Sequence, residues 1–472
     1  MAGKTHPLEF IFHPRSIAVV GASADPEGWG TRLFLQPLLD IGFPGEIYPI
    51  NPRADSILGL KAYPSVRDVP GPVDYAMVSI PPGAVLPVVE DCAAKGVKVA
   101  TIYAAGFSES GEDEGRDLEA RILDTARRAG MRLLGPNCIG IHCPGSGFSF
   151  SSLASRNIGP VAYLSQSGRY CHEFMALGGL RGFGFSKAVS IGNACDLNAT
   201  DFMDYLAGDR DTRIITAYIE GITDGRRFRR VLTRAARAKP VIIVKGGNTE
   251  PGKRAASSHT SSLAGSQALW EALFRQSGAL RARDLEEMAD LAMTFHYLAP
   301  LRGREIGIIG PGGGVSVLAA DACHGAGLRV NPLPQSVQNR LREFIPPMGT
   351  GVCNPVDFSP QLALSIPAFT GSIEALAACD SLDVLLVHTL LDMDTRVERE
   401  KRRLVEAILE TGKRAGKPLV MVMSSLGRPE NWQMIHDLRK RCLDEGFPVF
   451  TSTNRAAWCL GQLLNYGERF PR

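Results

Sequence analysis

The chain has 472 residues, 44% of them hydrophobic and 21% charged, which is typical of a soluble globular protein of about three domains. Its 52 Lys and Arg against 49 Asp and Glu give a formal net charge of +3, which offers no electrostatic case for nucleic acid or an anionic membrane. The scattered cysteines lack metal-ligand spacing, and neither a signal-peptide core nor a membrane-length apolar run is found, so we expect a cytoplasmic protein without a metal site.

Apolar runs of strand length alternate with helical periodicity along the whole chain. They read SIAVVGAS, GEIYPINP, YAMVSIPP, KVATIYAAG and RLLGPN, then VAYLSQSG, KAVSIGN, RIITAYIEG and PVIIVKGG, then IGIIGPGGG, DVLLVHTLL, PLVMVMSS and FPVFTST. Buried strands that alternate with helices predict doubly wound parallel sheets. We expect an α/β protein of three successive domains, 1–145, 146–298 and 299–472. A Gly, Ser and Pro-rich linker is expected at 142–160 and a second break near 296–305.

The first strand of the chain ends at Gly21 and leads through a loop into a helix, where backbone amides could bind phosphate. The second strand ends in Asn51, Pro52 and Arg53, where an NAD site usually has an acidic residue for the ribose hydroxyls. An arginine there suits a ribose with an extra phosphate, as in NADP or the 3′-phosphate of coenzyme A. The alternative is that the glycines of this loop, such as Gly21 and Gly30, merely turn the chain.

A histidine without an obvious packing role lies in AASSHTSSLAGS, residues 255–266. His259 there falls between a predicted buried strand and an amphipathic helix, on the kind of connection that often carries chemistry. The alternative is a turn histidine, with the serines capping the next helix.

Two further segments of the second domain could act with this histidine. A strand ends and a helix begins at the predicted anion cradle, Ser165, Gln166, Ser167 and Gly168. Glu220 ends another strand, and Asn193 and Asp196 follow a third. A neutral imidazole can attack phosphorus, and a carboxylate on its other nitrogen fixes the tautomer. The residues therefore suggest phosphoryl transfer, although Glu220 could be a surface or capping carboxylate and the cradle an ordinary helix cap.

Six motifs in order, GAS…NPR, GPNCIG, YLSQSG, SIGN.CD, YIEGI.DGR.F and RAASSHT.SLAGS, resemble the CoA-binding, ligase-type subunit of the NDP-forming acyl-CoA synthetases. That family includes acetate–CoA ligase (ADP-forming) and succinyl-CoA synthetase. The resemblance runs from about residue 8 to 460 and is strongest through residue 298. It implies a Rossmann-like CoA-binding domain followed by two flavodoxin-like ligase domains.

The resemblance also implies a reaction: acyl-CoA and phosphate give acyl phosphate and CoA, and the phosphoryl group passes through a histidine to ADP. His259 would be phosphorylated, Glu220 would be its partner, and residues 165–168 would cradle phosphate. The residues implied in CoA binding are Gly21, Ser23, Arg53, Pro81 and, near the thiol and acyl end, Asn137. ATP or ADP with Mg would bind an ATP-grasp β-type partner subunit in a heterotetramer, because the third domain fills residues 300–472.

Two departures from the family pattern stand beside these motifs. Ser261 replaces the glycine that usually follows the threonine of the histidine motif, which could stiffen the loop and alter the rate. Arg169, Tyr170 and Cys171 replace the small residues that usually follow SQSG, which suggests a larger, polar or aromatic acyl substrate. Both departures also suit the alternative of a catalytically impaired CoA-binding regulatory or scaffold protein. A third alternative, an NADP-dependent oxidoreductase, lacks obvious hydride-transfer residues. The loop GPGGG, 310–314, is expected to be a structural turn at a helix start rather than a second phosphate loop.

Overall fold

A computed structural model describes residues 6–25, 27–150, 156–257, 266–391 and 397–471. Its strands are β1 (Ser16–Val20), β2 (Glu46–Ile50), β3 (Ser56–Ile57), β4 (Leu60–Lys61), β5 (Tyr75–Val78), β6 (Val99–Ile102), β7 (Arg132–Leu134), β8 (Gly140–Cys143), β9 (Phe148–Ser149), β10 (Ile158–Ser165), β11 (Phe185–Ser190), β12 (Ile214–Ile219), β13 (Val241–Lys245), β14 (Leu280–Ala282), β15 (Ile306–Pro311), β16 (Val356–Phe358), β17 (Val384–Leu390), β18 (Leu419–Ser424) and β19 (Val449–Phe450).

The α-helices are α1 (Glu9–Phe12), α2 (Gln36–Ile41), α3 (Val85–Lys95), α4 (Asp113–Arg128), α5 (Gly168–Leu180), α6 (Ala199–Gly208), α7 (Gly225–Ala238), α8 (Glu250–Ser257), α9 (Gln267–Ser277), α10 (Leu285–Tyr297), α11 (Gly313–Gly325), α12 (Gln335–Arg342), α13 (Ile366–Ala377), α14 (Glu398–Arg414), α15 (Trp432–Asp444) and α16 (Thr453–Arg469). Within the described ranges, none of these helices is long and apolar enough to cross a membrane.

Three sheets repeat one strand order. The first sheet runs β2-β1-β5-β6-β7, the second β14-β13-β12-β10-β11-β8-β9 and the third β16-β15-β17-β18-β19. In each, the first parallel strand lies between the second and the third, which is the flavodoxin-like order. All pairs are parallel except those of β8 and β9 and the separate β3–β4 hairpin. The α/β prediction with parallel sheets is confirmed.

The strand order positions the ligand sites. A doubly wound sheet binds ligands beyond the carboxyl ends of its strands, where the strand order reverses. The reversal lies between β1 and β5 in the first sheet, β10 and β12 in the second, and β15 and β17 in the third. The chain divides into two compact units, of which one holds the first two sheets, in residues 1–179 and 183–288, and the other holds the third.

The strands form where the apolar runs predict them because both of their faces are covered. Every residue of β1, β5, β6 and β13 is buried, as expected for parallel strands between helical layers. The arginine-rich helix α7 buries Phe228, Val231 and Leu232, so its arginines lie on the solvated face. The segment GPGGG joins β15 to α11, so it lies at a helix start as expected, and its purely structural role stays a prediction.

The expected linker at 142–160 is only partly a linker. Strands β8 and β9 pair antiparallel and extend the second sheet beyond β11, and the His142 Nδ1 atom lies 2.8 Å from the Ser149 Oγ atom. The Gly and Pro-rich composition marks the turn between these two short strands rather than a free connection. Residues 151–155 lie outside the described residues.

Candidate active site

A cavity of about 600 Å³ opens at the carboxyl ends of β1, β2 and β5. Four of the residues predicted to bind CoA line it: Gly21, Ser23, Arg53 and Pro81. It coincides with the reversal of strand order in the first sheet, where a nucleotide is expected. The tertiary structure therefore brings together residues that are 60 positions apart in the sequence.

The turn after β1 requires glycine at its closest approach. Gly21 has φ +90°, and a Cβ atom there would overlap the carbonyl oxygen of Ser79, at the end of β5. Ser23 holds the other end of the turn, since its N–H donates to Thr31 Oγ1 at 2.8 Å and its carbonyl accepts from the Thr31 hydroxyl at 2.7 Å. The backbone at the cavity wall is thus compact and fixed.

Arg53 supplies a positive charge at the rim of this cavity. Its N–H donates to Asn51 Oδ1 at 2.8 Å, and the Asn51 amide donates to the Ala22 carbonyl at 2.7 Å, which ties the end of β2 to the turn after β1. The carboxylate that lines the cavity, Asp91, pairs with Arg67 at 2.6 Å. No ion pair of Arg53 is found within the described ranges, so its guanidinium is available to a phosphate.

The second site lies between β10 and β12, where Ser165 is the register partner of Tyr218. The Ser165 hydroxyl donates to the Ser167 carbonyl at 2.7 Å and accepts from the Ser167 N–H at 3.1 Å, so the chain turns tightly into α5. The Ser167 hydroxyl accepts from the Tyr170 N–H at 3.3 Å, so this serine does cap the helix. In the part of the chain described, the amides of Gly168 and Arg169 have no acceptor, which leaves them open to an anion.

Gln166 joins this turn to Glu220. Both residues are buried, at 8% and 7% exposure, and the Gln166 Oε1 atom accepts from the Glu220 N–H at 2.5 Å and from the Gly221 N–H at 3.1 Å. The interpretation of Glu220 as an ordinary surface carboxylate is therefore wrong. The anion cradle and the carboxylate are parts of one hydrogen-bonded structure at the sheet edge.

Two further residues support Glu220, and neither was among the predicted site residues. The Tyr218 hydroxyl hydrogen-bonds to the Glu220 carboxylate, and burial together with that negative charge raises the pKa of Tyr218. Lys245, at the end of β13, donates from Nζ to the Glu220 carbonyl at 2.8 Å. A lysine that ends a run of four buried apolar residues, VIIV, was the one local signal that could have pointed to this contact.

Asn137 does not line this first cavity; it lies in a loop that reaches the cradle. Its backbone is left-handed, with φ +59°, and its N–H donates to the Ala104 carbonyl at 2.9 Å. Two residues on, the Ile139 side chain lies 3.3 Å from where a Cβ atom of Gly168 would stand, and the Ile139 N–H donates to the Ser190 Oγ atom. The loop of Asn137 is thus adjacent to the first turn of α5.

Asn193 and Asp196 follow β11, as predicted, but their side chains serve the packing between segments. The Asn193 amide donates to Glu109 at 2.5 Å and to Glu119 at 3.0 Å, and the Asp196 carboxylate pairs with Arg132 at 2.7 Å. These contacts tie the segment after β11 to α4, to β7 and to the loop after β6.

The departures after SQSG point in different directions. The Arg169 side chain is 85% exposed and pairs with Glu173 at 2.7 Å along its own helix. Tyr170 instead packs edge-on against Tyr218, the tyrosine that hydrogen-bonds to Glu220, with ring centroids 4.7 Å apart. His259 and Ser261 lie outside the described residues.

Three domain families match this chain in sequence. They are a CoA binding domain over residues 15–144, a succinyl-CoA ligase like flavodoxin domain over 158–295 and a Ligase-CoA domain over 306–372. The first match contains all five strands of the first sheet, the second contains the parallel strands of the second sheet, and the third contains β15 and β16 of the third sheet. Together with the cavity and the cradle, they define a CoA-binding ligase.

Curated relatives agree with this class. The chain is 41% identical to the alpha subunit of acetate–CoA ligase [ADP-forming] II of Pyrococcus furiosus, over 74% of this chain and 76% of that one, and 34% identical to the alpha subunit of enzyme I, over 98% of both. It is 40% identical to acetate–CoA ligase [ADP-forming] of Methanocaldococcus jannaschii and spans 50% of that longer chain.

A solved structure agrees as well. It is the dinucleotide forming acetyl-coenzyme A synthetase 1 of Ca. Korarchaeum cryptofilum in complex with phosphate and ADP, with a TM-score of 0.84, 34% identity and coverage of 98% of this chain and 97% of that one. The chain belongs to the family of ADP-forming acid–CoA ligases, the ADP-forming acyl-CoA synthetases. The resemblance expected from the motifs is confirmed, and a ligase is favoured over a CoA-binding regulatory protein.

Proposed function

We propose that this chain is the CoA-binding, phosphohistidine-carrying subunit of its ligase. In the direction that consumes acyl-CoA, phosphate attacks the thioester carbonyl, the C–S bond breaks, and CoA leaves as its thiol. The imidazole of His259 then takes the phosphoryl group from the acyl phosphate and releases the carboxylate. ADP finally accepts the phosphoryl group and becomes ATP, so every group is accounted for.

The first cavity suits the adenosine end of CoA. Arg53 would pair with the 3′-phosphate, while the compact turn at Gly21 and Ser23 lets the backbone approach the diphosphate, and Pro81 also lines this cavity. Asn137 would lie near the thiol and the acyl group, because its loop adjoins α5.

The second site suits the phosphoryl group. The open amides at the start of α5 would bind its oxygens, and the helix dipole favours that negative charge. The Glu220 carboxylate would accept a hydrogen bond from the imidazole and stabilise the charge that develops on the ring. The observation that carries this proposal is the buried bond network in which Gln166 joins the cradle to Glu220.

We also propose that residues 1–145, 146–298 and 299–472 act as three domains and that a separate ATP-grasp subunit, in a heterotetramer, binds ADP or ATP with Mg. Support comes from the Pyrococcus furiosus relatives, which are named alpha subunits and align over most of their length. The structure with bound phosphate and ADP supports the use of a nucleotide.

The acyl group follows from neither the fold nor the family. Relatives of similar likeness are named for different acids, including 4-hydroxybutyrate–CoA ligase [ADP-forming] of Nitrosopumilus maritimus, at 36% identity, and trans-feruloyl-CoA synthase FCS1, at 30%. We expect Tyr170 to favour an acid other than acetate, because it places an aromatic ring beside the cradle.

The deciding experiment is radiolabelling of the purified chain with labelled phosphate and a panel of acyl-CoAs from acetyl to cinnamoyl, with and without a co-expressed ATP-grasp partner. We expect an acid-labile, base-stable phosphate that is absent from His259→Ala and strongly reduced in Glu220→Gln. Label retained in His259→Ala would refute the assignment of the histidine. Absence of label with every donor, with CoA still bound, would refute the catalytic role.

A further inference from the structure

One lysine of the second sheet is buried close to the proposed phosphoryl site, and no carboxylate of the described residues pairs with it. Lys245 is 3% exposed, and its Nζ atom donates to the carbonyls of Glu220, at 2.8 Å, and Gly246. The ammonium also lies 5.2 Å from the centroid of the Trp270 ring. Burial lowers the pKa of Lys245 to about 8.

Another buried lysine of the same sheet shows the usual arrangement. Lys187, on β11, is 1% exposed, and its ammonium contacts the carboxylates of Asp209, at 2.8 Å, and Asp211, at 3.3 Å. A buried charge is costly unless it is paired, so a lysine bonded to neutral carbonyls is unfavourable for folding. An anion bound near Lys245 would offset this cost.

The contacts of Lys245 join the segments that form the site. Its bond to Glu220 holds the turn after β12, and its bond to Gly246 holds the turn that leads to α8. A Cβ atom at Gly246 would lie 2.6 Å from the Tyr218 hydroxyl, so this turn packs directly on the tyrosine that bonds to Glu220. Trp270 belongs to α9, so the ammonium contacts elements on both sides of the histidine motif in sequence.

We infer that Lys245 is a positioning residue of the phosphoryl-transfer site: its ammonium fixes the turn that carries Glu220 and supplies the positive charge that balances a phosphoryl group bound at the cradle. The inference rests on the proposed function. The charged and titratable groups on the surrounding elements are Glu220, Tyr218, Lys253 and its partner Glu250, and Arg281 with its partner Glu271. The negative charge of Glu220 favours the protonated form of Lys245 and the positive charge of Lys253 opposes it, and loss of the Lys245 proton removes one positive charge from beside Glu220.

The test uses the full chain with its partner subunit and compares Lys245→Met, Lys245→Arg and a control, Lys239→Met, by single-turnover phosphorylation between pH 6 and 10. Lys239 is matched because burial also lowers its pKa to about 8 and its ammonium also donates to backbone carbonyls, those of Leu206 and Asp209. It precedes β13, however, and so lies at the opposite end of the strand from Lys245.

We expect the rate of the unaltered protein to fall as the pH rises through about 8, because Lys245 then loses its charge. This fall, the alkaline limb of the pH–rate profile, should move to higher pH in Lys245→Arg, since a guanidinium stays protonated. Lys245→Met should lose roughly tenfold to a hundredfold in rate, with that limb absent, as expected when a reacting group is misplaced. Lys239→Met should keep the limb of the unaltered protein.

CoA binding measured on each variant reports whether it has folded. The inference would be overturned if the phosphorylation rate of Lys245→Met were within twofold of that of the unaltered protein. It would also be overturned if the rate of Lys245→Arg fell at the same pH as that of the unaltered protein. If Lys245→Met fails to bind CoA, the comparison of the unaltered protein with Lys245→Arg decides. Absence of any phosphoenzyme in the unaltered protein would refute the proposed function itself, and a labelled protein indifferent to Lys245 would refute only this inference.

Discussion

Replacement of Gln166 by leucine should release the turn that carries Glu220. The leucine has no acceptor for the N–H groups of Glu220 and Gly221, both of which are buried. Each buried donor left without a partner costs about 1–3 kcal/mol, so the local free energy of opening should fall by about 2–6 kcal/mol. Because each ~1.4 kcal/mol is a factor of ten in an equilibrium constant, a loss of about 2 kcal/mol should reduce the protection of these amides from hydrogen exchange roughly 30-fold.

Hydrogen exchange followed by mass spectrometry, on a peptide that spans the end of β12 and the turn after it, measures this change directly. Gln36→Leu is the control, because among the described residues the Gln36 amide bonds to Asp40 alone, on the surface of α2. Gln166→Glu should keep the protection, since a carboxylate also accepts both bonds, but should weaken phosphoenzyme formation through its negative charge beside the cradle. Unchanged exchange in Gln166→Leu would refute the view that this glutamine holds Glu220.

Three other substitutions test the remaining contacts. Tyr218→Phe removes a hydrogen bond to the Glu220 carboxylate, worth about 1.5–3 kcal/mol for a charged acceptor, so phosphoenzyme formation should slow about tenfold or more, with no further loss when added to Glu220→Gln. Arg53→Met should weaken CoA binding roughly tenfold while leaving 3′-dephospho-CoA unaffected in calorimetry, and an equal loss for both ligands would contradict its assignment to the 3′-phosphate. Gly21→Ala should abolish CoA binding, because its Cβ atom would overlap backbone at φ +90°, whereas Gly83→Ala, where a Cβ atom meets nothing within 4 Å, should bind as before.

The sequence by itself determined the local structure and much of the chemistry. A long buried strand or an amphipathic helix is predicted by the hydrophobic pattern of residues adjacent in the sequence. Strands β1, β10, β12 and β13 therefore lie where the apolar runs predict them. The position of Glu220 and of the SQSG turn at strand ends followed from the same pattern. Short edge strands carry too few residues to show a period, so the sequence pattern does not predict β8 and β9.

Only the tertiary structure decided which of these segments meet. Gln166 bonds to a residue 54 positions away, and Lys245 reaches a carbonyl 25 positions away, because strands adjacent in the sheet are distant in the chain. The Asn193 side chain, which the predicted constellation placed with the cradle, instead donates to Glu109 and Glu119. A sequence records what each residue prefers locally, whereas the direction of a buried side chain and the partner it finds depend on the order in which the strands pack.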